Sequence, residues 1–253
     1  MCRIRSSACV LVSLLIALFI ASAPAAAADK PPTLDTDPNL VGWWRFDETG
    51  GTVAKDSSRF GHDGTLKNLS FKGDSVVGRS GKALRFTGKD TLIEVAKYKG
   101  VTGTRPRTVA AWIKTATSRG EIVSWGTEDF GQMFTFGFIR GRVGITPRGG
   151  YYYMNPETHD NEWHHVVVVV REAELPNLHD DVELYLDGVV AEPHDIGLLD
   201  LWPVETGDDL DVRIGRRFNG IMDDLRIYDH ALSEDDANAL FKLETNRPLA
   251  KEK

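Results

Sequence analysis

The fold is decided between residues 162 and 190. The chain there reads Glu162-Trp163-His164-His165, then five valines from Val166 to Val170. A polar break follows from Arg171 to Asp181, and then Val182-Glu183-Leu184-Tyr185-Leu186-Asp187-Gly188-Val189-Val190. Consecutive β-branched residues are stiff at χ1 and fit a pleated surface, so the valine run predicts a strand. A strand apolar on both faces is central and covered on both sides. The second segment alternates: Val182, Leu184 and Leu186 share one face, Glu183 and Tyr185 the other. Asp187-Gly188 between apolar runs marks a tight hairpin turn. The stretch predicts an antiparallel sheet from which the fold is built outward.

Further strands are expected on either side. Leu40 to Phe46 reads as the first, followed by a polar, Gly- and Ser-rich loop from Asp47 to Asp63. Shorter strands follow at Ala83–Phe86, Thr91–Val95, Thr108–Lys114, Glu121–Trp125, Met133–Ile139 and Arg142–Thr146. Leu210–Ile214 and Ile221–Tyr228 close the series. Many short strands at intervals of about ten residues indicate an all-β sandwich or barrel. One helix is predicted. Ser233 offers a hydroxyl N-cap, Glu234, Asp235 and Asp236 complement the dipole, and Ala237, Leu240 and Phe241 supply the apolar stripe.

The 253 residues are 26% charged and 42% hydrophobic, ordinary values for a globular chain. Arg3 and Arg5, the apolar run Leu11–Ile20 and the small residues Ala21–Ala28 have the order of a secretory signal peptide, expected over residues 1–28. Both cysteines, Cys2 and Cys9, lie within it, so the mature chain is expected to rely on core burial or metal rather than disulfides. Residues 29–38, with Pro31, Pro32 and Pro38, read as a linker, residues 39–245 as one domain, and residues 246–253 as a frayed tail. Loss of Arg3 and Arg5 takes the formal charge from −7 to −9. That balance disfavours nucleic acid and anionic lipid as partners.

The chain then resembles a known family. Gly42-Trp43-Trp44-Arg45-Phe46-Asp47, Asp56-Ser57-Ser58 and His62-Asp63-Gly64-Thr65 resemble the opening of laminin-G-like, concanavalin A-like jelly-roll domains. Gly81–Phe86, Val109-Ala110-Ala111-Trp112-Ile113, Trp163–Val166, Leu184–Gly188, Ile214-Gly215, Phe218–Tyr228 and Ala231-Leu232-Ser233 follow in the same order. The resemblance implies an all-β jelly-roll sandwich of two antiparallel sheets with one short C-terminal helix. It also implies an exported, largely non-catalytic module that binds calcium, and carbohydrate or a cell-surface protein. The calcium ligands it implies are Asp56, His62 through its carbonyl, and Asp223. Arg59 and Phe60 depart from the Gly-Asn pair usual in that loop.

Read on its own, Asp223 shares a strand face with Ile221, Leu225 and Ile227 if Ile221–Tyr228 is regular. A carboxylate there needs a partner: an arginine such as Arg45 or Arg85, backbone amides, or a cation. Calcium takes six to eight oxygens, which the loop of Asp56, Ser57, Ser58 and Asp63 could supply. His164 and His165 point to opposite faces and cannot share one metal. A retaining glycosidase needs two carboxylates about 5–5.5 Å apart; no acidic pair with that strand spacing occurs, so a hydrolase or lyase of the same architecture is the weaker alternative. Arg148-Gly149-Gly150-Tyr151-Tyr152-Tyr153 and Trp202 are the candidate ligand-binding aromatics, set against tyrosines that merely alternate into and out of the core. Asn68-Leu69-Ser70 is a glycosylation sequon.

Overall fold

The valine run forms an eight-residue strand in a computed structural model that describes residues 33–194 and 202–245. The expected signal peptide (1–28), the tail (246–253) and part of the linker lie outside those residues. In chain order the strands are β1 (Leu40–Trp44), β2 (Val53–Ala54), β3 (Gly64–Lys67), β4 (Ser75–Val77), β5 (Lys82–Thr87), β6 (Leu92–Val95), β7 (Arg107–Lys114) and β8 (Glu121–Gly126). They continue as β9 (Met133–Ile139), β10 (Arg142–Thr146), β11 (Tyr152–Tyr153), β12 (Trp163–Val170), β13 (Val182–Leu186), β14 (Val189–Val190), β15 (Leu210–Ile214) and β16 (Asn219–Tyr228). Helix α1 is one turn, Phe71–Asp74, and α2 spans Glu234–Thr245.

The strands make two antiparallel sheets. One runs β14-β13-β12-β7-β16-β5-β4, with β1 also paired to β16; the other runs β11-β10-β9-β8-β15-β6-β3-β2. Val166, Val168 and Val170 join Leu184, Phe136 and Ile145 in the core between the sheets, while Val167 and Val169 join a second cluster on the outer face of the first sheet. This is the two-sided burial expected of a central strand. Asp187 and Gly188 both have positive φ, 51° and 82°, as a tight turn between β13 and β14 requires.

Helix α2 closes that second cluster. Ser233 accepts from the Asp236 amide and its own amide donates back to Asp236 Oδ2, a reciprocal cap. Ala237 and Leu240 then pack with Trp43, Ala110, Val167, Tyr185 and Tyr228. Residues 33–38, read as linker, also lie here: Leu34 packs on the cluster, its carbonyl accepts from Tyr228, and Asp35 pairs with Arg226 at 2.5 Å. The outer face of the first sheet is thus covered by the two ends of the described chain. The outer face of the second sheet carries β8, β9 and β10 with polar side chains outward, and it frames a groove.

Strand β16 departs from the regular alternation. The ladder with β7 pairs Asp223 with Trp112 and Arg226 with Ala110, so Asp224 and Leu225 together face one residue, Ala111. Asp224 adopts φ 45° in this bulge. On the other edge, β5 pairs as far as Met222 and β1 takes over at Leu225. The bulge sits where one partner strand replaces the other.

Candidate binding groove and the loop around Asp56

The bulge corrects the expected surroundings of Asp223. Met222, Leu225 and Ile227 enter the inter-sheet core, so the extra residue removes Asp223 from the face of Leu225 and Ile227. Asp223 is fully buried and Oδ2 accepts from the Ser80 amide at 3.0 Å. Of the partners considered, a backbone amide is present; Arg45 instead pairs with Asp47 at 3.0 Å. Gly78 leaves room for the carboxylate, since a Cβ there would lie 2.5 Å from Asp223 Oδ2.

Asp56 and His62 do come together. Asp56 Oδ1 accepts from the amides of Trp43 and Ser58, and Oδ2 accepts from Ser58 Oγ and the His62 amide. The His62 carbonyl accepts from Trp44 Nε1 at 2.9 Å, and its ring stacks on Tyr98 at 3.8 Å. A carboxylate offers about four lone-pair sites, and all four of Asp56 face donors. These residues do not fit a calcium cage: a cation would meet N–H and O–H hydrogens rather than free lone pairs. Among the described residues no group of three His, Cys, Asp or Glu side chains is placed to hold a metal. Arg59 lies over the Phe60 ring at 4.9 Å.

The two adjacent histidines separate as alternation demands. His165 is fully buried beside Trp112 at 5.1 Å, and burial, with Arg226 nearby, pushes its pKa down to about 3. His164 lies between Asp187 at 2.9 Å and Asp160 at 3.2 Å; the hydrogen bond it donates to Asp187 leads the effects that raise its pKa.

The groove of about 680 Å³ lies over β8, β9 and β10 and is lined by Glu121, Glu128, Met133, Thr135, Thr146, Arg148, Gly149, Gly150, Tyr151 and Arg216. Its floor follows from strand alternation. Phe134, Phe136, Val143 and Ile145 enter the core, which leaves Met133, Thr135 and Thr146 facing out. One wall is a charged set: Glu121 Oε1 accepts from Arg216 at 2.7 Å and Oε2 from Ser124 Oγ at 2.5 Å. The opposite end is aromatic and glycine-rich. Phe130 and Trp202 stack at 5.8 Å, 57% and 46% exposed. A Cβ on Gly149 would overlap Trp202 Cδ1, so only glycine lets this loop pass beneath the indole.

The candidate aromatics divide accordingly. Tyr151 lines the groove, with the Arg140 guanidinium 4.4 Å over its ring. Tyr153 stacks under Tyr151 and against His194 and is almost fully buried. Tyr152 packs towards the inter-sheet core. Trp202 stands at the rim. Sequence reasoning missed Glu121, Arg216, Thr135, Thr146 and Phe130; the only signal was a polar residue at alternate positions of β9 and β10. Asn68 of the sequon is exposed.

Known proteins share this architecture. No match was found among curated proteins. Domain 4 of AbnA, a GH43 extracellular arabinanase from Geobacillus stearothermophilus solved in complex with arabinotriose, superposes with a TM-score of 0.58 at 19% identity, covering 80% of this chain and 98% of that one. The binding domain of Paraclostridial Mosquitocidal Protein 1 superposes at 0.54 with 18% identity, and the botulinum neurotoxin serotype G binding domain at 0.52 with 12%. Each covers 82% of this chain, which spans only about half of those two toxin domains, 53% and 52%. At such identities the likeness is one of fold. The family model described as the concanavalin A-like lectin/glucanases superfamily matches residues 87–238, more than half of the sequence. With its two antiparallel sheets and covering C-terminal helix, the chain belongs to the concanavalin A-like lectin/glucanases superfamily.

Proposed function

We propose that this protein is an exported, non-enzymatic binding module that holds a glycan in the groove over β8, β9 and β10. The observation that carries the reading is the grouping of Tyr151 and the exposed Phe130–Trp202 pair with the hydroxyls of Thr135 and Thr146 and the charged side chains of Glu121, Arg148 and Arg216. Apolar ring faces with a few directed polar groups suit a sugar, which has C–H faces and hydroxyl edges. The volume lies within the range of small-molecule sites, about 300–1,000 Å³. The fold neighbour solved with arabinotriose makes that trisaccharide the first probe.

Two carboxylates reach the groove, so the enzymatic alternative has a concrete form. Glu121 is tied to Arg216 and Ser124, and Glu128 is largely exposed. A glycosidase acid needs a carboxyl free in an apolar setting; the largely buried Glu121 has both oxygens engaged, and Glu128 is open to solvent. Export rests on the leader of residues 1–28, and no helix among the described residues is long and apolar enough to cross a membrane. A protein at the cell surface is the other partner class.

The test is affinity electrophoresis and calorimetry against a panel of oligosaccharides and polysaccharides, with reducing-sugar release measured in parallel. Binding weakened at least tenfold by Tyr151→Ala or Trp202→Ala, without sugar release, supports the module. Release abolished by Glu121→Gln would establish an enzyme instead, and binding indifferent to both aromatic substitutions would move the site elsewhere.

A further inference from the structure

The loops at one end of the sandwich gather positive charge. Two adjoining clefts there, of about 250 and 410 Å³, share Ala116, Thr117 and Asn219. Arg85 and Lys114 line the smaller cleft; Arg119, His159 and Arg217 line the larger. No acidic residue lines either, in a chain with 37 acidic and 30 basic residues. Carboxylates of the surrounding loops and strands are engaged elsewhere: Glu121 with Arg216 at 2.7 Å, Glu157 with Arg142 at 3.5 Å, and Asp160 with His164 at 3.2 Å. Glu157 also lies 3.9 Å from His159. Asp90 and Glu162 are exposed and line neither cleft. Among the described residues none of Arg85, Lys114, Arg119 and Arg217 has a carboxylate partner.

The backbone fixes this grouping. The Glu121 amide donates to the Arg216 carbonyl at 2.8 Å, which ties the turn of Arg119-Gly120 to that of Arg216-Arg217. A Cβ on Gly120 would lie 2.4 Å from the Phe218 Cα and 2.5 Å from the Arg217 carbonyl carbon, so only glycine lets the two loops meet. Asn219 binds in two further loops. Its carbonyl accepts from Thr115 Oγ1 at 2.6 Å and Thr117 Oγ1 at 3.2 Å, and Gly88 packs against its Cβ. Arg119 and Arg217 are both exposed, so a ligand in the larger cleft can reach them. Like charges held on touching loops repel, and an anion shared between them offsets that repulsion. Thr87 and Ser118 add hydroxyl donors to the same lining. Guanidinium forks with hydroxyls beside them match the several oxygens of a tetrahedral anion.

We propose that the larger cleft is a second binding site, one that holds a phosphate or sulfate ester between Arg119 and Arg217. The site uses none of the side chains of the groove over β8, β9 and β10, and it stands without the glycan-binding reading. The smaller cleft, through Arg85 and Lys114, gives a second ester of the same molecule a place across the ridge of Thr117 and Asn219. The chain carries a formal charge of −7, so its overall field does not draw anions in, and retention depends on these local contacts.

The experiment measures binding of galactose 6-sulfate and glucose 6-phosphate by calorimetry at constant ionic strength, each against its unesterified sugar. At least one ester is expected to bind at least tenfold more tightly than its parent, and which one does so tells sulfate from phosphate. Arg119→Gln and Arg217→Asn are each expected to weaken that binding at least fivefold; asparagine suits position 217, where φ is 58°. Arg105→Gln removes an exposed positive charge beside the opposite end of β7 and is expected to leave it unchanged. In the unmutated protein the Nε–Hε resonances of Arg119 and Arg217 are expected to shift during the titration. Esters that bind no more tightly than their parent sugars overturn the proposal with no variant needed, so misfolding of a variant does not shelter it. Equal weakening by Arg105→Gln, or resonances of Arg119 and Arg217 that stay in place while an ester binds, overturns it too.

Discussion

Met222 and Leu225 stand three residues apart on β16, and both enter the core between the sheets. In an unbroken strand they would point to opposite faces. The bulge at Asp224 reconciles them, and it brings the Asp224 carboxylate against Trp43 Nε1 at 2.8 Å, with Arg226 Nη2 at 3.9 Å. Arg226 is itself fully buried.

Asp224→Ala should therefore be among the most damaging single changes in the domain. It removes the acceptor for a buried indole and one of the carboxylates facing a buried arginine, a loss of about 3 kcal/mol or more. For a domain of this size that corresponds to a fall in melting temperature of roughly 6–12 °C. Asp224→Asn keeps an acceptor and tolerates positive φ, so it should cost clearly less. Thermal melts that rank the two variants equally would show that the carboxylate charge, rather than the bulge geometry, is what matters.

The two histidines of β12 should give stability opposite dependences on pH. His164 has a raised folded pKa, so its contribution is complete below the unfolded value near 6.5 and is lost as pH rises through the folded value. His165 works the other way. The unfolded chain takes a proton near pH 6.5 that the folded chain refuses until about pH 3, so stability falls through that window by up to about 1.4 kcal/mol per pH unit. Urea unfolding at pH 7.5, 6 and 4.5 should show a shallower acid slope for His165→Gln. His164→Gln should lose stability at pH 6 and little at pH 9. An unchanged acid slope in His165→Gln would mean that its neutral burial is not what acid disrupts.

The loop from Asp47 to Asp63 should depend on Asp56 and not on calcium. Four hydrogen bonds converge on that carboxylate. Hydrogen bonds to a charged group contribute about 1.5–3 kcal/mol each, though not additively, so Asp56→Ala should cost at least 2 kcal/mol. Melting should be the same in millimolar calcium and in chelator. A calcium-dependent rise that vanishes in Asp223→Ala would reinstate the metal site.

Gly149 should matter to binding as much as any side chain in the groove. Its φ of 114° is a region that side-chain-bearing residues avoid, and an added methyl would strike Trp202 and crowd Phe130. Gly149→Ala should lower stability by about 1–3 kcal/mol and reduce glycan affinity as far as Trp202→Ala does. Full affinity in Gly149→Ala would remove the Phe130–Trp202 pair from the proposed site.

What the sequence disclosed, and what it hid, follows from range. The valines of β12, the alternation of β13 and the turn at Asp187-Gly188 are local patterns, and each survives in the structure with its expected faces. So does the cap at Ser233. Parity counting assumes a regular strand and so puts Asp223 on the face of Leu225; the bulge sits where β16, paired with β7 throughout, exchanges β5 for β1, which no window of sequence records. The aromatic run Tyr151–Tyr153 was visible as a candidate, but which ring faces the groove depends on pairing with β10. Glu121 opens β8 and Arg216 follows the end of β15, so the wall they form is a property of the sheet order, which sets those two strands side by side.

Leu34 and α2 both lie against the outer side of the first sheet, and this settles which way the module looks. Both elements thus occupy the face of the sandwich opposite the sheet that carries the proposed groove. If a long polymer occupies the proposed groove, neither Leu34 nor α2 stands in its path, and changes made to those two elements should alter stability while leaving access to the groove intact.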